Sequence, residues 1–391
     1  MTNWPTLPLA ELCEINIGRT PARHRPEYWS AGIPWLSIAD MNQGRLLSRT
    51  KEEISPMAAA TVMGAPVSPG TVALSFKLSL GKVGVVQVPM YTNEAIATLP
   101  VRNPKMLLRD FLYWSLRTID IAADADRAAM GQTLNKEKLA RIRVPLPSMQ
   151  EQRRIVATLD RVDALRAKRR KSMCCIEDLV RSVFFDMFGD PGSNAHSFPW
   201  TSLAELVSEH DRINYGVVQP GGDYESGVPL IRVGDLDDGR IKIGSLKLID
   251  PEIESKYARS RLKGNEILVG CVGSIGLIAI TTKEHKGFNI ARAVARIPID
   301  DPDMRSYLAE YLKTPHIQNY FRNELRTVAQ PTLNIKQLAE TPVIMPPEGI
   351  RARFRSTLEA ITLQKWQTAT HLRHLDGLLA SLQHRAFRGE L

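Results

Sequence analysis

The stretch "AMGQTLNKEKLARIRVPLPS" (Ala129–Ser148) has a counterpart in "VAQPTLNIKQLAETPVIMPP" (Val328–Pro347). Thr133-Leu134-Asn135 and Thr332-Leu333-Asn334 stand 199 positions apart in a chain of 391 residues. One shared tripeptide is chance, but other matches lie outward from it. "LAEL" at Leu9–Leu12 recurs at Leu203–Leu206, and "GIPWLSIADMNQGR" (Gly32–Arg45) matches "GVPLIRVGDLDDGR" (Gly227–Arg240). "LGKVG" (Leu80–Gly84) lines up with "VGSIG" (Val272–Gly276), and Asn93 with Asn289. The offsets run 194, 195, 192 and 196 before reaching 199. An ordered series that drifts by a few residues is what small loop insertions leave behind in two copies of one fold.

Each copy has a mixed part and a helical part. Strand-like runs bounded by Gly and Pro, such as Thr71–Phe76 and Glu266–Val272, alternate with helical stretches such as Leu107–Ile119 and Met304–Thr314. The glycine-broken run "ILVGCVGSIGLIAI" (Ile267–Ile280) reads as strand–turn–strand and not as a membrane span. A long helix then opens after "PLPS" (Pro145–Ser148) and again after "MPPEG" (Met345–Gly349). Ser148 followed by Glu151 is a capping-box arrangement, and "FGDPG" (Phe188–Gly192) stops the first helix. The expected segments are a first mixed domain at 1–147, a helix at 148–188, a second mixed domain at 189–346 and a helix at 347–391.

The helices carry the sharpest pattern. A 4-3 spacing selects Ile155, Leu159, Val162, Arg166, Arg169, Met173, Ile176, Val180 and Val183. Shifted by 199, it selects Phe354, Leu358, Ile361, Lys365, Thr368, Leu372, Leu375, Leu379 and Leu382. Such a heptad repeat is a coiled-coil seam, roughly 43 Å long at 1.5 Å per residue. Antiparallel pairing would make a rod with a mixed domain at each end and a rough two-fold axis. Its length is near the ~34–36 Å between DNA half-sites. The polar interruptions would then meet, or the helices would splay there. The bland alternative is that each helix packs on its own domain.

Lys and Arg total 51 against 42 acids, for a net charge of +9 and a pI near 9.4. That balance favours an acidic partner, nucleic acid first. Arg153–Lys171 alone holds eight Lys or Arg and two Asp. Usually such a run is a solvated face; between two DNA readers it would neutralise phosphates. Cys13, Cys174, Cys175 and Cys271 lack the spacing of a zinc site and read as thiols, buried or half-buried, in a reducing cytosol. The start of the chain lacks the basic-then-apolar order of a signal peptide, so a cytoplasmic location is expected.

"PLPSMQEQRRIVATLDRVDALRAKRRKSMCCIEDLVRSVFFDMFGDP" (Pro145–Pro191) resembles the central region of the specificity subunits of type I restriction–modification enzymes, and "HRAFRGEL" (His384–Leu391) resembles their C-terminal signature. Gly18–Met41 and Ser75–Gly84 are similar to one type of target-recognition domain, and Gly270–Gly276 with Gly287–Ile297 to another. The resemblance covers essentially the whole chain. It implies an α+β chain of two tandem mixed α/β target-recognition domains, separated by a long antiparallel two-helix coiled coil with pseudo-two-fold symmetry. It also implies a non-catalytic DNA-binding subunit that reads a bipartite double-stranded site. Two modification subunits would bring S-adenosylmethionine and methylate adenine; two restriction subunits would bring ATP and Mg. The second copy has "PPEGIRARF" where the first has "PSMQEQRRI". If the Glu-Gln pair grips a modification subunit, the two docking sites differ.

Base reading needs donors and acceptors on loops held by a rigid sheet. The first-domain candidates are Arg19, Arg23, Arg25, Lys77, Lys82, and Gln132 and Thr133 of "GQT". In the second they are Asn214, Tyr215, Gln219, Arg232, Ser274, Arg292, and Gln330 and Thr332 of "AQPT". No catalytic residue and no metal ligand set is expected. "GAPVSPGT" (Gly64–Thr71) lacks the Lys of a phosphate loop, and the eight His form no metal pair. Alternatives kept open are a DNA-recognition subunit whose partner fuses nuclease and methylase, as in type IIB-like systems, an enzyme acting alone, and a coiled-coil scaffold without a DNA role.

Overall fold

The computed structural model describes residues 4–121, 126–128, 131–237, 239–325 and 331–391. Two compact units emerge. One is Met1–Arg170 together with Thr370–Leu391; the other is Lys171–Ala369. Each unit therefore contains the start of one long helix and the end of the other.

In the first unit a five-stranded sheet runs in the order Asn16–Ile17, Ile96–Leu99, Val72–Ser75, Val83–Val86, Leu46–Leu47. A smaller sheet orders Glu52–Ile54, Ile33–Leu36 and Tyr91–Thr92. The short helix Arg109–Leu116 buries Phe111, Leu112, Tyr113, Trp114 and Leu116. The second unit repeats this plan. Its main sheet is Asn214–Tyr215, Val294–Pro298, Glu266–Gly270, Ile278–Ile280, and its smaller one is Lys247–Ile249, Val228–Ile231, Asn289–Ile290. In both smaller sheets the central strand has one antiparallel and one parallel neighbour. The run Ile267–Ile280 is indeed a strand, a turn and an antiparallel strand.

The repeated Thr-Leu-Asn phrase has a physical reason. Leu134 and Leu333 are buried in the cores of their units. Their backbone N–H groups donate to Phe76 O and Cys271 O, at the ends of equivalent strands (2.9 and 3.0 Å). The next residue caps a helix: Asn135 Oδ1 accepts from Lys138 N (2.8 Å) and Asn334 Oδ1 from Gln337 N (3.0 Å). Three residues thus close a sheet, fill a core and start a helix, with the cap alone worth about 1 kcal/mol.

A short antiparallel ladder leads into each long helix, Thr6–Pro8 with Arg143–Pro145 and Trp200–Ser202 with Pro342–Ile344. The first long helix spans Met149–Phe188 and the second Glu348–Ala386. Ser148 Oγ accepts from Glu151 N as the capping pattern predicts, and Gly189 at φ 73° ends the first helix in the left-handed conformation that suits glycine. Gln152 has no exposed surface. It accepts from Leu108 N (2.9 Å) and donates to Met106 O (2.9 Å) and Pro147 O (3.0 Å). At the matching position Arg351 Nη1 donates to Pro346 O (3.2 Å) and pairs with Asp301. The Gln152 amide is therefore spent inside the domain, and Glu151 bonds Arg154.

In the first unit Ile155, Leu159 and Val162 share one core with Leu375, Leu379, Leu382 and Ala386. Arg154 donates to Leu391 O (2.6 Å), and Arg166 to Asp376 (2.6 Å). Partner numbers fall as helix numbers rise, so these two segments run in opposite directions. The second unit shows the same sense, with Lys365 paired to Glu177 (2.9 Å) and Phe354 packed on Phe184 and Phe188. The two ion pairs occupy positions offset by 199. Of the polar seam residues, Arg166 and Lys365 thus each take an acid from the other helix within their own unit. Of the seam residues only Arg169 is exposed. Cys174 and Cys175 are exposed rather than half-buried, because they fall outside that apolar stripe.

Gln152→Ala should strand one buried N–H and two carbonyls, for a loss of about 3 kcal/mol. Denaturant titration checks this. Unchanged stability with lost partner binding would restore the docking role instead.

Candidate nucleic-acid interface

The first-unit candidates divide into those bound within their own fold and those presented outward. Arg23 forms a two-point bond to Glu52 (3.0 Å for Nη2) and lies 3.7 Å over the Trp29 ring, with Trp35 behind. Arg19 donates to Val62 O (3.1 Å), and Arg25 to Tyr28 OH (2.9 Å). These three arginines brace the 19–28 loop over an aromatic cluster, while their outer faces stay exposed. Lys77 sits on a strand that pairs with Gly131–Thr133, in register Thr133 with Lys77. The fold therefore brings together two of the segments chosen from sequence. The side chains of Gln132 and Thr133 lie outside the described residues, as does Gln330. Lys82 Nζ donates to Ile38 O (3.3 Å).

Between Lys77 and Lys82 lies a feature the sequence reading passed over. Leu78 holds φ 64° and is 53% exposed. A left-handed leucine costs roughly 1–2 kcal/mol. Strain of that kind concentrates at binding sites, and exposed apolar atoms can meet a thymine methyl group. Nothing in residue type marks it; the backbone does.

In the second unit the candidates are more firmly bound. Asn214 Nδ2 donates to Arg212 O (3.1 Å) and Arg259 O (3.2 Å). Tyr215 donates its hydroxyl to Leu333 O (2.7 Å), and burial pushes that hydroxyl up to about 12. Arg232 is bonded to Asp235 through both Nε and Nη2 (3.0 and 3.1 Å). Gln219, Ser274 and Arg292 are exposed. Thr332 bridges to Val272, beside the glycine turn that carries Ser274. Asn214 and Tyr215 thus position the strand end, and the exposed polar set is Gln219, Arg232, Ser274 and Arg292.

Arg45, the last residue of the repeated "GIPWLSIADMNQGR" segment, is the hub of the first unit. Its guanidinium bonds Asp160 Oδ1 on the long helix (2.6 Å) and Asp110 Oδ1 on the short helix (2.8 Å). It stacks 4.7 Å over the Tyr113 ring, and Trp114 Nε1 donates to the same Asp160 (2.7 Å). Burial works against the Asp110 carboxylate. Bonds from Arg109 and Arg45 outweigh it and hold that carboxyl below its ordinary value. The stabilisation is therefore present at neutral pH and is lost as pH falls through the depressed value. The sequence signal for Arg45 was its place in the repeat. Its second-copy counterpart, Arg240, is exposed. There, Arg355 binds Asp303 (2.7 Å) to join long and short helices instead.

Among the described residues no group of His, Cys, Asp and Glu has the makings of a metal site, and no helix is long and apolar enough to cross a membrane.

Comparison with known proteins agrees over most of the chain. The family model described as type I restriction modification DNA specificity domain matches residues 1–172 and again 198–367. The type I restriction enzyme EcoBI specificity subunit of Escherichia coli is 30% identical over 336 residues, 78% of this chain and 70% of the relative. The MjaIX specificity subunit of Methanocaldococcus jannaschii is 23% identical over 193 residues, 48% of this chain and 44% of the relative. In fold, the chain is similar to the S subunit of the type I restriction-modification system from M. genitalium, with a TM-score of 0.56 and 16% identity, covering 98% of this chain and 96% of that one. It is also similar to a chain solved in work on complex assembly and conformational transition of the type I R-M system (TM-score 0.55, 20% identity, 99% and 98% covered).

Arg45→Ala and Asp160→Ala should each destabilise the first unit by about 2–3 kcal/mol, below the full cost of breaking a buried pair because the site is partly wet. In a double-mutant cycle read by denaturant midpoint, the coupling should exceed about 1 kcal/mol. Additive effects would show that Arg45 is not the hub.

Proposed function

The chain belongs to the type I restriction modification DNA specificity family, and on that premise we propose how it reads DNA. As the specificity subunit of a type I restriction–modification system it supplies sequence recognition rather than catalysis. Each unit reads one half of a bipartite site through the loops described above. In the first these are the 19–25 loop and the Lys77–Leu78 segment beside Gly131–Thr133. In the second they are Gln219, Arg232, Ser274, Arg292 and the segment around Thr332.

The paired long helices act as an antiparallel coiled-coil spacer with a pseudo-two-fold axis. One observation carries this reading: Arg166 bonds Asp376 in one unit and Lys365 bonds Glu177 in the other, both 199 positions apart. Such matched pairs fix register more than they add stability, since half-exposed ion pairs are worth about 0–1 kcal/mol. Two modification subunits dock on this frame and bring S-adenosylmethionine for adenine methylation, and two restriction subunits bring ATP- and Mg-dependent cleavage, all in the cytoplasm. Gln152 takes no part in the docking. The remaining candidates for it are exposed helix residues such as Leu363 and Trp366.

Inserting four residues at matching points of both helices adds about 6 Å of rise. The unread gap should lengthen by no more than ~2 base pairs at 3.4 Å each, and both half-sites should stay the same. Methylation mapping reads the outcome. Altered half-sites with a constant gap would contradict the spacer.

A further inference from the structure

Beside the long helix of the first unit lies an open groove of about 910 Å³. One wall is the loop from Met41 to Leu46 and the turn from Gly81 to Val83; the other is the helix from Asp160 to Arg170. Its charges are layered. Arg45, Arg109 and Arg166 are matched by Asp110, Asp160 and Asp163 in a bonded floor of three cations and three acids. Lys82, Arg117 and Arg170 line the same groove. Among the described residues none of these three has a carboxylate within ion-pair distance. Arg117 donates to Tyr113 OH (2.7 Å), Lys82 to a backbone carbonyl, and Arg170 is exposed. The ion-paired set is neutral, and Lys82, Arg117 and Arg170 leave the groove with a net charge of +3.

Resting on the DNA-specificity reading above, we propose that this groove holds backbone phosphates of the DNA flanking the half-site read by the first unit, and that the second unit has lost the equivalent grip. A polyanion fits because these three cations line one open groove and none is neutralised by a carboxylate among the described residues. DNA is favoured because the Gly81–Val83 wall continues the turn that carries Lys77 and Leu78. A duplex read by that turn runs its backbone past the rim. The second copy keeps the frame and drops the charges. Lys82 becomes Ser274 and Arg170 becomes Ala369. Arg117 becomes Lys313, which is bonded to Glu310 (2.7 Å), a residue standing where the first copy has Trp114. Phosphate binding at this place in the fold is therefore one-sided.

The test uses the full chain in complex with its modification subunits. The probes are a random-sequence duplex of about 40 base pairs and a duplex carrying the mapped target, titrated from about 50 to 200 mM salt. Each lost phosphate contact should flatten the plot of log affinity against log salt by about 0.9. The combined Lys82→Ala, Arg117→Ala and Arg170→Ala variant should flatten it by between about 2 and 3 and weaken both duplexes by the same factor, leaving target preference intact. Arg170→Ala alone, on an exposed helical face, should remove about 0.9 and guards against misfolding of the triple variant. Lys82→Arg, Arg117→Lys and Arg170→Lys together should restore the slope, and Lys313→Ala should leave it unchanged. An unchanged slope in the alanine variants overturns the proposal. So does loss of modification-subunit capture with the slope retained, which would make the groove a protein dock. Should the wild-type complex itself show no preference for the mapped target, the specificity reading fails instead.

Discussion

Ile155, Leu159 and Val162 of one long helix are buried against the end of the other, where Leu379 and Ala386 are equally enclosed. At about 1.5–3 kcal/mol per buried aliphatic side chain, this seam is a substantial part of what holds the first unit together. Its aromatic edge is Phe387 against Phe111. The second unit uses Phe188 against Tyr307, with Phe354 completing the cluster. The first recognition domain has no finished core from its own contiguous residues, since Leu375, Leu379, Leu382 and Ala386 of the second long helix complete it, whereas the core of the second unit lies within the continuous stretch Lys171–Ala369. The first unit therefore cannot close until the end of the second long helix is in place. Contacts of such high sequence separation are entropically costly to form. They also tie the fold of each reading domain to the helices that flank it.

The duplication is faithful where packing demands it and loose where chemistry is exposed. The Asn caps, the Leu plugs beside them and the Arg166 and Lys365 ion pairs are equivalent. Gln152 and Arg351 differ as residues yet both bond the carbonyl of the matching proline segment. Outside this frame the copies diverge. The first domain locks its sheet to the helices through Arg45, whereas the second uses Arg351 and Arg355 on acids at the start of the short helix. One fold thereby supports two surfaces of different charge, which is what recognition of two different half-sites requires.

Much of this frame was legible in the sequence because its signals are periodic or repeated. The seam follows from a 4-3 spacing, the helix starts from Ser148 and Glu151, and the doubling from an ordered series of offsets. The candidate site was only partly legible. Arg, Asn and Tyr were chosen as donors, but a donor's availability depends on neighbours far away in sequence. Arg23 meets Glu52, Asn214 meets Arg259 O, and Tyr215 meets Leu333 O. Composition could not reveal that these groups brace the fold. Arg45 and Arg117 were missed for the converse reason, since the groove exists only once the helix lies beside the sheet.

The doubled architecture is tested most directly by mapping methylated adenines across the genome of a host that carries the complete system. The account predicts a single motif made of two unrelated short half-sites, one modified adenine in each, separated by a fixed number of unspecified bases. A continuous motif, or half-sites found modified at many spacings, would contradict it.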